Sequence, residues 1–197
     1  MAERFYEKTE PEPTRRHRKR KKPPPPISEA DFERAAARHL GRYPSSIAGL
    51  KAVLDRRARR SVAHHGGEPQ EAAPIIESVV KRCLELGLLD DDAYGRALVR
   101  RLRRRGQSRI QVHSQLVRKG IGQDICERLL DEIGDRDSEL EAANIYARRR
   151  RIGPHRTPGD TSRENRERDL AVLARAGFPP EVALSIIDTP PPGECAE

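Results

Sequence analysis

Apolar residues recur at helical spacing through most of the chain, and the pattern is clearest between residues 89 and 135. Three successive runs there place apolar side chains three or four positions apart. The runs are Tyr94, Ala97, Leu98 and Leu102, then Ile110, His113, Leu116 and Val117, then Ile125, Leu129, Leu130 and Ile133. They predict three amphipathic helices. Ser108 is placed to cap the second helix, and Gly120 to end it in a left-handed conformation.

The end of this unit is repeated further along the chain. Residues 120–131 read GIGQDICERLLD and residues 177–188 read GFPPEVALSIID, with glycine, an apolar residue, an acid, an aliphatic pair and a final aspartate in common. Upstream of each segment a Ser-Arg pair opens a helical stretch, at 108–109 and at 162–163. Similar segments at a spacing of 54 to 57 residues are typical of tandem helical repeats.

We therefore predict an all-α protein whose tandem three-helix repeats form an elongated, curved solenoid. The repeats are expected at 28–88, 89–135 and 136–188. The first repeat is more divergent, with helices predicted from Phe32 to Tyr43, from Ser46 through Arg60 and from Pro74 to Leu86, and with a flexible loop at 64–67. The Pro-rich segment 1–26 and the segment 189–197 are predicted to be disordered.

Composition changes this picture in two respects. Charged residues make up 36% of the chain and aromatic residues 4%, so aliphatic side chains on helices must form the core and a β-sandwich or barrel is disfavoured. The net charge of +8 points to a polyanionic partner, either nucleic acid or an acidic protein surface. Much of the excess lies in the first 26 residues. We predict a DNA-binding arm there, formed by Arg15, Arg16, Arg18, Lys19, Arg20, Lys21 and Lys22.

Cysteine usage and hydropathy bear on the compartment. Cys83, Cys126 and Cys195 lack CxxC spacing and are interpreted as free thiols. No signal-peptide core and no apolar run of about 18 residues is present. We expect a cytoplasmic protein that binds no membrane, metal or cofactor.

No catalytic motif is found: the sequence lacks a phosphate loop, an HExxH motif and a nucleophile with a recognisable base. Residues 90–92, three consecutive aspartates, could bind a metal, but capping of a helix is the favoured interpretation. The pair His64-His65 could also ligate a metal, although a solvated pair is favoured. A binding protein is therefore predicted rather than an enzyme.

Arginines are the candidate binding residues. The segment 96–109 holds seven arginines and no acid, so mutual repulsion favours an anionic partner over a merely solvated face. A second acid-free cluster spans 148–151. The predicted contact residues are Arg96, Arg100, Arg103, Arg104, Arg109, Arg118, Lys119, Arg148 and Arg149. Aromatic residues are not interleaved with these positions, which argues against a dedicated single-strand reader.

The order of motifs resembles the RecX family over residues 28–188. The resemblance rests on Leu88-Leu89-Asp90-Asp91, Tyr94, Gly106, Arg109-Ile110, Leu116 and Lys119-Gly120-Ile121. The third repeat adds Leu173 and Ala176-Gly177-Phe178, and the first adds Leu40, Tyr43, Ser45-Ser46 and Leu50. The chain departs from the family pattern at Gly95, where alanine is usual, in the loop at 64–67, and in the basic arm that precedes the family region.

What the resemblance implies is a regulatory protein of the recombinase RecA in DNA repair, recombination and the SOS response. It implies binding in the groove of the RecA filament, lowering ATPase, strand-exchange and coprotease functions, and we expect weak, salt-dependent contact with single- or double-stranded DNA. A monomer is predicted separately, because each repeat can bury its apolar face against its neighbours and no exposed heptad seam is evident. The alternative is a helical protein that binds DNA or RNA directly and has no filament-specific role. Preference for recombinase-coated over bare DNA would distinguish the two.

Overall fold

A computed structural model describes residues 23–156 and 163–190, and all the regular structure in these ranges is helical. The first repeat consists of α1 (Glu29–Leu40), α2 (Ile47–His65) and α3 (Ala73–Glu85), with a 3-10 turn at Pro69–Ala72. The second consists of α4 (Asp91–Arg103), α5 (Arg109–Arg118) and α6 (Gln123–Asp131). The third consists of α7 (Arg136–Arg150), α8 (Arg163–Arg175) and α9 (Pro180–Ile187), with a 3-10 turn at Gly153–His155. The predicted all-α class is confirmed.

Each repeat has its own hydrophobic core. The first core is centred on Phe32, Leu50, Leu54 and Val79, the second on Val112, Leu116, Cys126 and Leu129, and the third on Ala143, Leu173, Phe178 and Val182. Helices contact the other helices of their own repeat much more extensively than those of the next. Leu89, which we assigned to the second repeat, is buried in the core of the first. The body is therefore three small cores in series.

Helix ends follow the signals in the sequence. The side chains of Ser46, Asp90 and Ser108 each accept a hydrogen bond from the backbone N–H three residues further on, which satisfies one free donor of the first helical turn. Gly120 and Gly177 follow the middle helices of the second and third repeats with φ of 71° and 80°. This left-handed conformation is the one that favours glycine.

The predicted apolar face of α5 is wrong in part. Val112 and Leu116 are fully buried, whereas Ile110 is 63% and Val117 55% exposed, and His113 is exposed as well. Positions 108, 112 and 116 and positions 110, 113 and 117 both have helical spacing, so periodicity alone does not decide between them. The first line faces inward because Val112 and Leu116 pack in the core of the second repeat, against α4 and α6.

Two smaller corrections concern α4 and α3. Ala97 is exposed and Gly95 is buried, because the absence of a side chain at Gly95 leaves room for Leu129, whose Cδ1 would lie 2.6 Å from an added Cβ. In α3, the spacing of Ile76, Val79, Val80, Cys83 and Leu84 predicts one apolar face; the first four are buried, whereas Leu84 is 41% exposed.

The second helix is longer than predicted, and it holds the end of the Pro-rich segment. It continues to His65, and the turn is made by Gly66 with φ of 81°. Ser61 Oγ donates to the carbonyl of Pro25 at 2.9 Å, and His65 Nε2 lies 2.8 Å from the carbonyl oxygen of Pro24. Residues 23–26, expected to be part of a disordered arm, therefore contact α2. Residues 1–22 and 191–197 lie outside the described residues.

Among the helices of the described ranges, none is both long enough and apolar enough to cross a membrane.

Candidate functional site

The two joints between successive repeats share one hydrogen-bond pattern. In the first joint, Ser46 Oγ donates to the carbonyl of Lys119 at 2.6 Å, and Ile47 N–H donates to Asp91 Oδ1 at 2.9 Å. Each bond joins the start of α2 to the second repeat: the carbonyl follows the middle helix α5, and the acid opens the first helix α4.

In the second joint, Ser108 Oγ donates to the carbonyl of Ala176 at 2.6 Å, and Arg109 N–H donates to Glu139 Oε1 at 3.0 Å. The partners again lie just after the middle helix, here α8, and on the first helix, here α7. In each joint, one free backbone N–H of the N-terminal turn and the hydroxyl of the capping serine are therefore used to hold the next repeat.

The repeated glycines lie at these joints. A Cβ on Gly120 would lie 2.3 Å from the Cβ of Ala48, and one on Gly177 would lie 3.2 Å from the Cβ of Ile110. Glycine thus serves both the left-handed turn and the close approach to the preceding repeat. The repeat signature read from the sequence marks the contacts between repeats.

Arg103 lies inside the second joint. Its Nη1 donates to Glu139 Oε2 at 2.8 Å and to the carbonyl of Gln107 at 3.0 Å, and its Nη2 donates to Ser138 Oγ at 2.9 Å and to the Ser138 carbonyl. The side chain is 14% exposed. Arg103 was predicted to contact a partner; its role in the structure is to fix the first helix of the third repeat against the second.

Arg96 is paired with acids. It donates to Asp92 at 2.8 Å and to Glu132 at 2.6 Å. Hydrogen bonds from Arg96 and then from Arg128 hold the pKa of the Asp92 carboxyl below its usual value. The expectation of uncompensated repulsion is therefore wrong for Arg96, because the fold brings acids from the preceding turn and from the end of α6.

Arg109 is paired in the same way. Its guanidinium donates to the carbonyl of Leu130 at 2.6 Å and to Asp131 at 3.0 Å, both at the end of α6. Spacing within 96–109 alone could not reveal these partners, since they lie more than twenty positions away in the chain.

Arg100 and Arg104 differ from Arg96, Arg103 and Arg109, which have acidic partners. Like Arg101 and Arg105, both are exposed and form no ion pair within the described residues. Arg100 and Arg104 border a cleft of about 300 Å³ between α4 and α7, which we call the central cleft, whereas Arg101 and Arg105 do not line it. Its apolar lining is Val99, Leu129, Ile133, Ala142 and Ile145. Glu132 and Glu141 also line it, so the cleft presents an apolar floor between charges of both signs.

The second arginine cluster lies at the end of α7. Arg149 Nη1 donates to the carbonyl of Arg105 at 2.8 Å, and Arg150 lies over the ring of Tyr146 with its Cζ 5.6 Å from the centroid. Arg148 is exposed, and its side chain has no hydrogen bond or ion pair among the residues that the structure describes. Arg151 ends the helix with φ of 55°, a left-handed non-glycine residue. Part of this cluster is thus engaged within the second joint.

The other predicted contact residues are Arg118, Lys119 and the basic residues of the N-terminal arm. Arg118 donates to the side chain of Gln115 at 2.5 Å, and Lys119 is the C-cap of α5, with its carbonyl used in the first joint. Both side chains are exposed. The predicted arm residues Arg15, Arg16, Arg18, Lys19, Arg20, Lys21 and Lys22 lie outside the described residues.

The consecutive aspartates have three separate structural roles. Asp90 caps α4 by accepting from Ala93 N–H at 2.9 Å, Asp91 accepts from Ile47 N–H, and Asp92 pairs with arginines. Burial raises the pKa of the Asp91 carboxyl, and the hydrogen bond from Ile47 opposes that shift. In the described ranges no three His, Cys, Asp or Glu side chains are grouped so that they could hold a metal ion.

Comparison with known proteins decides the family. The chain is 39% identical over 165 residues to "Regulatory protein RecX" of Myxococcus xanthus, a match that covers 84% of this chain and 88% of that protein. The chain belongs to the RecX family. RecX of Agrobacterium fabrum is 28% identical over 138 residues, with 70% and 71% covered. RecX of Corynebacterium efficiens is 30% identical over 139 residues, with 68% and 66% covered. No family model and no solved structure matches the chain significantly.

For two joint residues of this RecX family member, the role in the joint was not predicted from the sequence. Glu139 has no local signal, since it lies in a helix rich in charged residues. Asp91 was interpreted as part of a cap, yet its partner Ile47 is 44 residues away. The one sequence feature that could have indicated these roles is the repeat itself, since an acid occurs near the start of the first helix in both the second and third repeats.

Proposed function

We propose that this chain regulates a RecA recombinase by binding to the recombinase–DNA filament, in the cytoplasm and as a monomer. It is proposed to inhibit the filament, lowering its ATPase, strand-exchange and coprotease functions, and to act by binding rather than by catalysis. Membership of the RecX family, whose relatives are named regulatory proteins, supports the regulatory role.

The observation that carries the filament contact is the pair Arg100 and Arg104 at the central cleft. They are exposed and unpaired within the described residues, whereas Arg96, Arg103 and Arg109 are held by acids. Exposed charges next to an apolar floor suit a protein surface that offers a carboxylate beside an apolar side chain. We therefore place the main electrostatic contact with the filament here.

The architecture supports a groove-binding mode. Each repeat has its own core, and the joints consist of hydrogen bonds and ion pairs. An array of this kind is proposed to be elongated and curved, because each repeat contacts only its neighbours. Such an array can follow a helical groove over several protein subunits and present one surface per repeat.

The experiment compares two charge reversals with the same change in net charge. The variant Arg100→Glu/Arg104→Glu alters the central cleft, whereas Arg38→Glu/Arg59→Glu alters exposed positions on α1 and α2. Fluorescence anisotropy of labelled single-stranded DNA, bare or coated with recombinase, gives both affinities. We expect the first variant to bind coated DNA about tenfold more weakly or worse, since two reversals can together exceed 1.4 kcal/mol. The control should bind within a factor of two or three of the parent. Equal loss in both variants would contradict a specific contact at the cleft.

The alternative, direct binding of DNA or RNA without a filament-specific role, is favoured by the exposed Arg148 and by the basic residues 15–22. It predicts similar affinity for bare and coated DNA. It also predicts that removing residues 1–22 lowers the slope of log affinity against log salt by about 0.7 for each lost phosphate contact. Truncation at residue 22 leaves the contacts of Pro24 and Pro25 with α2 in place.

A further inference from the structure

The first joint forms a cleft that the function proposed above does not use. It has a volume of about 550 Å³ and lies between the α1–α2 connection, α2 and the end of α5. We call it the first-joint cleft. Its cationic or titratable lining residues are His39, Arg56, Arg118 and Lys119, its aromatic residues are Tyr43 and Tyr94, and none of its lining residues is acidic. The central cleft, by contrast, includes two glutamates.

Tyr43 is the unusual residue of this cleft. It is 61% exposed and is not part of the core cluster of the first repeat. Within the described residues its one ring contact is with His39, with centroids 5.8 Å apart and the rings tilted by 43°. The side chain of Tyr43 thus lies beside a polar cleft with much of its surface exposed to water. Exposure of the apolar ring is unfavourable in free energy, and the ring contributes little to packing.

The cations around Tyr43 are available to a ligand. Arg56 and Lys119 have no side-chain hydrogen bond or ion pair among the residues that the structure describes, and the guanidinium of Arg118 donates only to the neutral amide of Gln115 there. Three basic side chains that line one cleft, with no carboxylate in its lining, repel one another. An anion in the cleft would relieve that repulsion, so the ligand is expected to be negatively charged.

We propose that the first-joint cleft binds single-stranded nucleic acid, with one base stacked on Tyr43 and the flanking phosphates held by Arg56, Arg118 and Lys119. A segment of aspartate and glutamate alone would use the cations but has no flat apolar group for the ring. Aromatic platforms beside a basic groove are the general means of holding a single strand without reading its sequence. The cleft lies in the joint between repeats one and two, and the proposal does not depend on a recombinase partner.

The test uses the absence of tryptophan from the chain. In the variant Tyr43→Trp the single indole reports on the cleft, whatever other basic segments bind. We expect oligothymidylate to quench its fluorescence, and an abasic oligodeoxyribose phosphate of equal length to leave it nearly unchanged although it binds. The matched reporter is Leu86→Trp, at a position that is 64% exposed and outside the cleft. It should show no quenching with either strand.

A second measurement uses affinity. Tyr43→Ala should weaken oligothymidylate binding about fivefold or more and Tyr43→Phe much less, because the phenyl ring still stacks. Circular dichroism checks that both remain helical. Equal quenching by the abasic strand, or equal affinity of the Ala and Phe variants, would overturn the stacking proposal. Quenching by poly-glutamate but not by oligothymidylate would also overturn it and would point to an acidic protein segment.

Discussion

Ser108 and Ala176 are joined by a buried hydrogen bond of 2.6 Å from the serine hydroxyl to the alanine carbonyl. The same side chain accepts from Gln111 N–H, so one hydroxyl caps α5 and anchors the end of α8. Ser46 and Lys119 reproduce the relationship between the first two repeats. Successive repeats are therefore held by specific polar contacts, and their relative placement depends on a few side chains.

Replacing Ser108 by alanine should destabilise the protein by about 2 to 4 kcal/mol. Loss of the N-cap costs roughly 1 kcal/mol, and the buried Ala176 carbonyl is left without its hydroxyl donor, which costs about 1 to 3 kcal/mol. Urea unfolding measures the change. The matched control is Ser28→Ala, an exposed cap of α1 outside the joints, for which about 1 kcal/mol or less is expected. Equal losses would show that the Ala176 bond contributes nothing.

Gly106→Ala should disrupt the second joint. Gly106 has φ of 74°, and an added Cβ would lie 2.6 Å from the backbone nitrogen of Tyr146 and 2.8 Å from the carbonyl oxygen of Ala142. Backbone atoms of α7 cannot move aside without separating the third repeat from the second. We expect the free energy of unfolding to fall by well more than the roughly 1 to 2 kcal/mol that left-handed strain alone costs, as measured by thermal or urea unfolding.

Gly87→Ala supplies the control for that strain. Gly87 has a similar φ of 66°, but nothing lies within 4 Å of an added Cβ. It should cost about 1 to 2 kcal/mol. If the two variants unfold at the same urea concentration, the close approach of Gly106 to the backbone of α7 does not hold the second joint together.

Arg103→Ala should act on stability, and Arg104→Ala should not. Removing Arg103 leaves Glu139, whose side chain is only 10% exposed, without its charge partner, and breaking a buried pair costs about 3 kcal/mol or more. Arg104 is exposed, and its replacement should change stability by less than about 0.5 kcal/mol. Thermal unfolding of the two variants separates these roles. If the Arg103→Ala variant is as stable as the parent but binds the filament more weakly, Arg103 contacts the filament rather than holding the joint.

The thiols of Cys83 and Cys126 should react slowly with a disulfide reagent. Both are buried, and burial raises the pKa of each thiol, so the reactive thiolate is scarcer at pH 8 than for an ordinary cysteine. In a Cys195→Ser variant only these two remain. Their labelling by Ellman's reagent should be slow in buffer and fast in urea. Rapid labelling in buffer would mean that the first and second cores open readily.

Much of the fold could be predicted from the sequence, because the repeat signature combines local signals. Gly120, Gly177 and Ser108 mark turns and caps whose physics involves only near neighbours. The same residues also make the joints, although the periodicity did not show this. The inward face of α5 was predicted wrongly in part, since two lines of residues had helical spacing and only packing against α4 and α6 decides between them.

The binding surface was harder to predict, because charge compensation depends on residues distant in the chain. Arg96 and Arg103 belong to an acid-free segment, yet Glu132 and Glu139 reach them from α6 and α7. Tyr43 and Lys119 are 76 positions apart in the chain and line one cleft. Counting charges and aromatic residues within a window could detect neither arrangement.

The recombinase ATPase on single-stranded DNA, measured with substoichiometric amounts of this protein, tests the proposed function most directly. One bound molecule is proposed to span several filament subunits, so the ATPase rate should fall at far less than one molecule per recombinase. The Arg100→Glu/Arg104→Glu variant should require a concentration about tenfold higher for the same inhibition. An ATPase rate that stays unchanged up to equimolar protein, with the protein folded by circular dichroism, would contradict regulation through the filament.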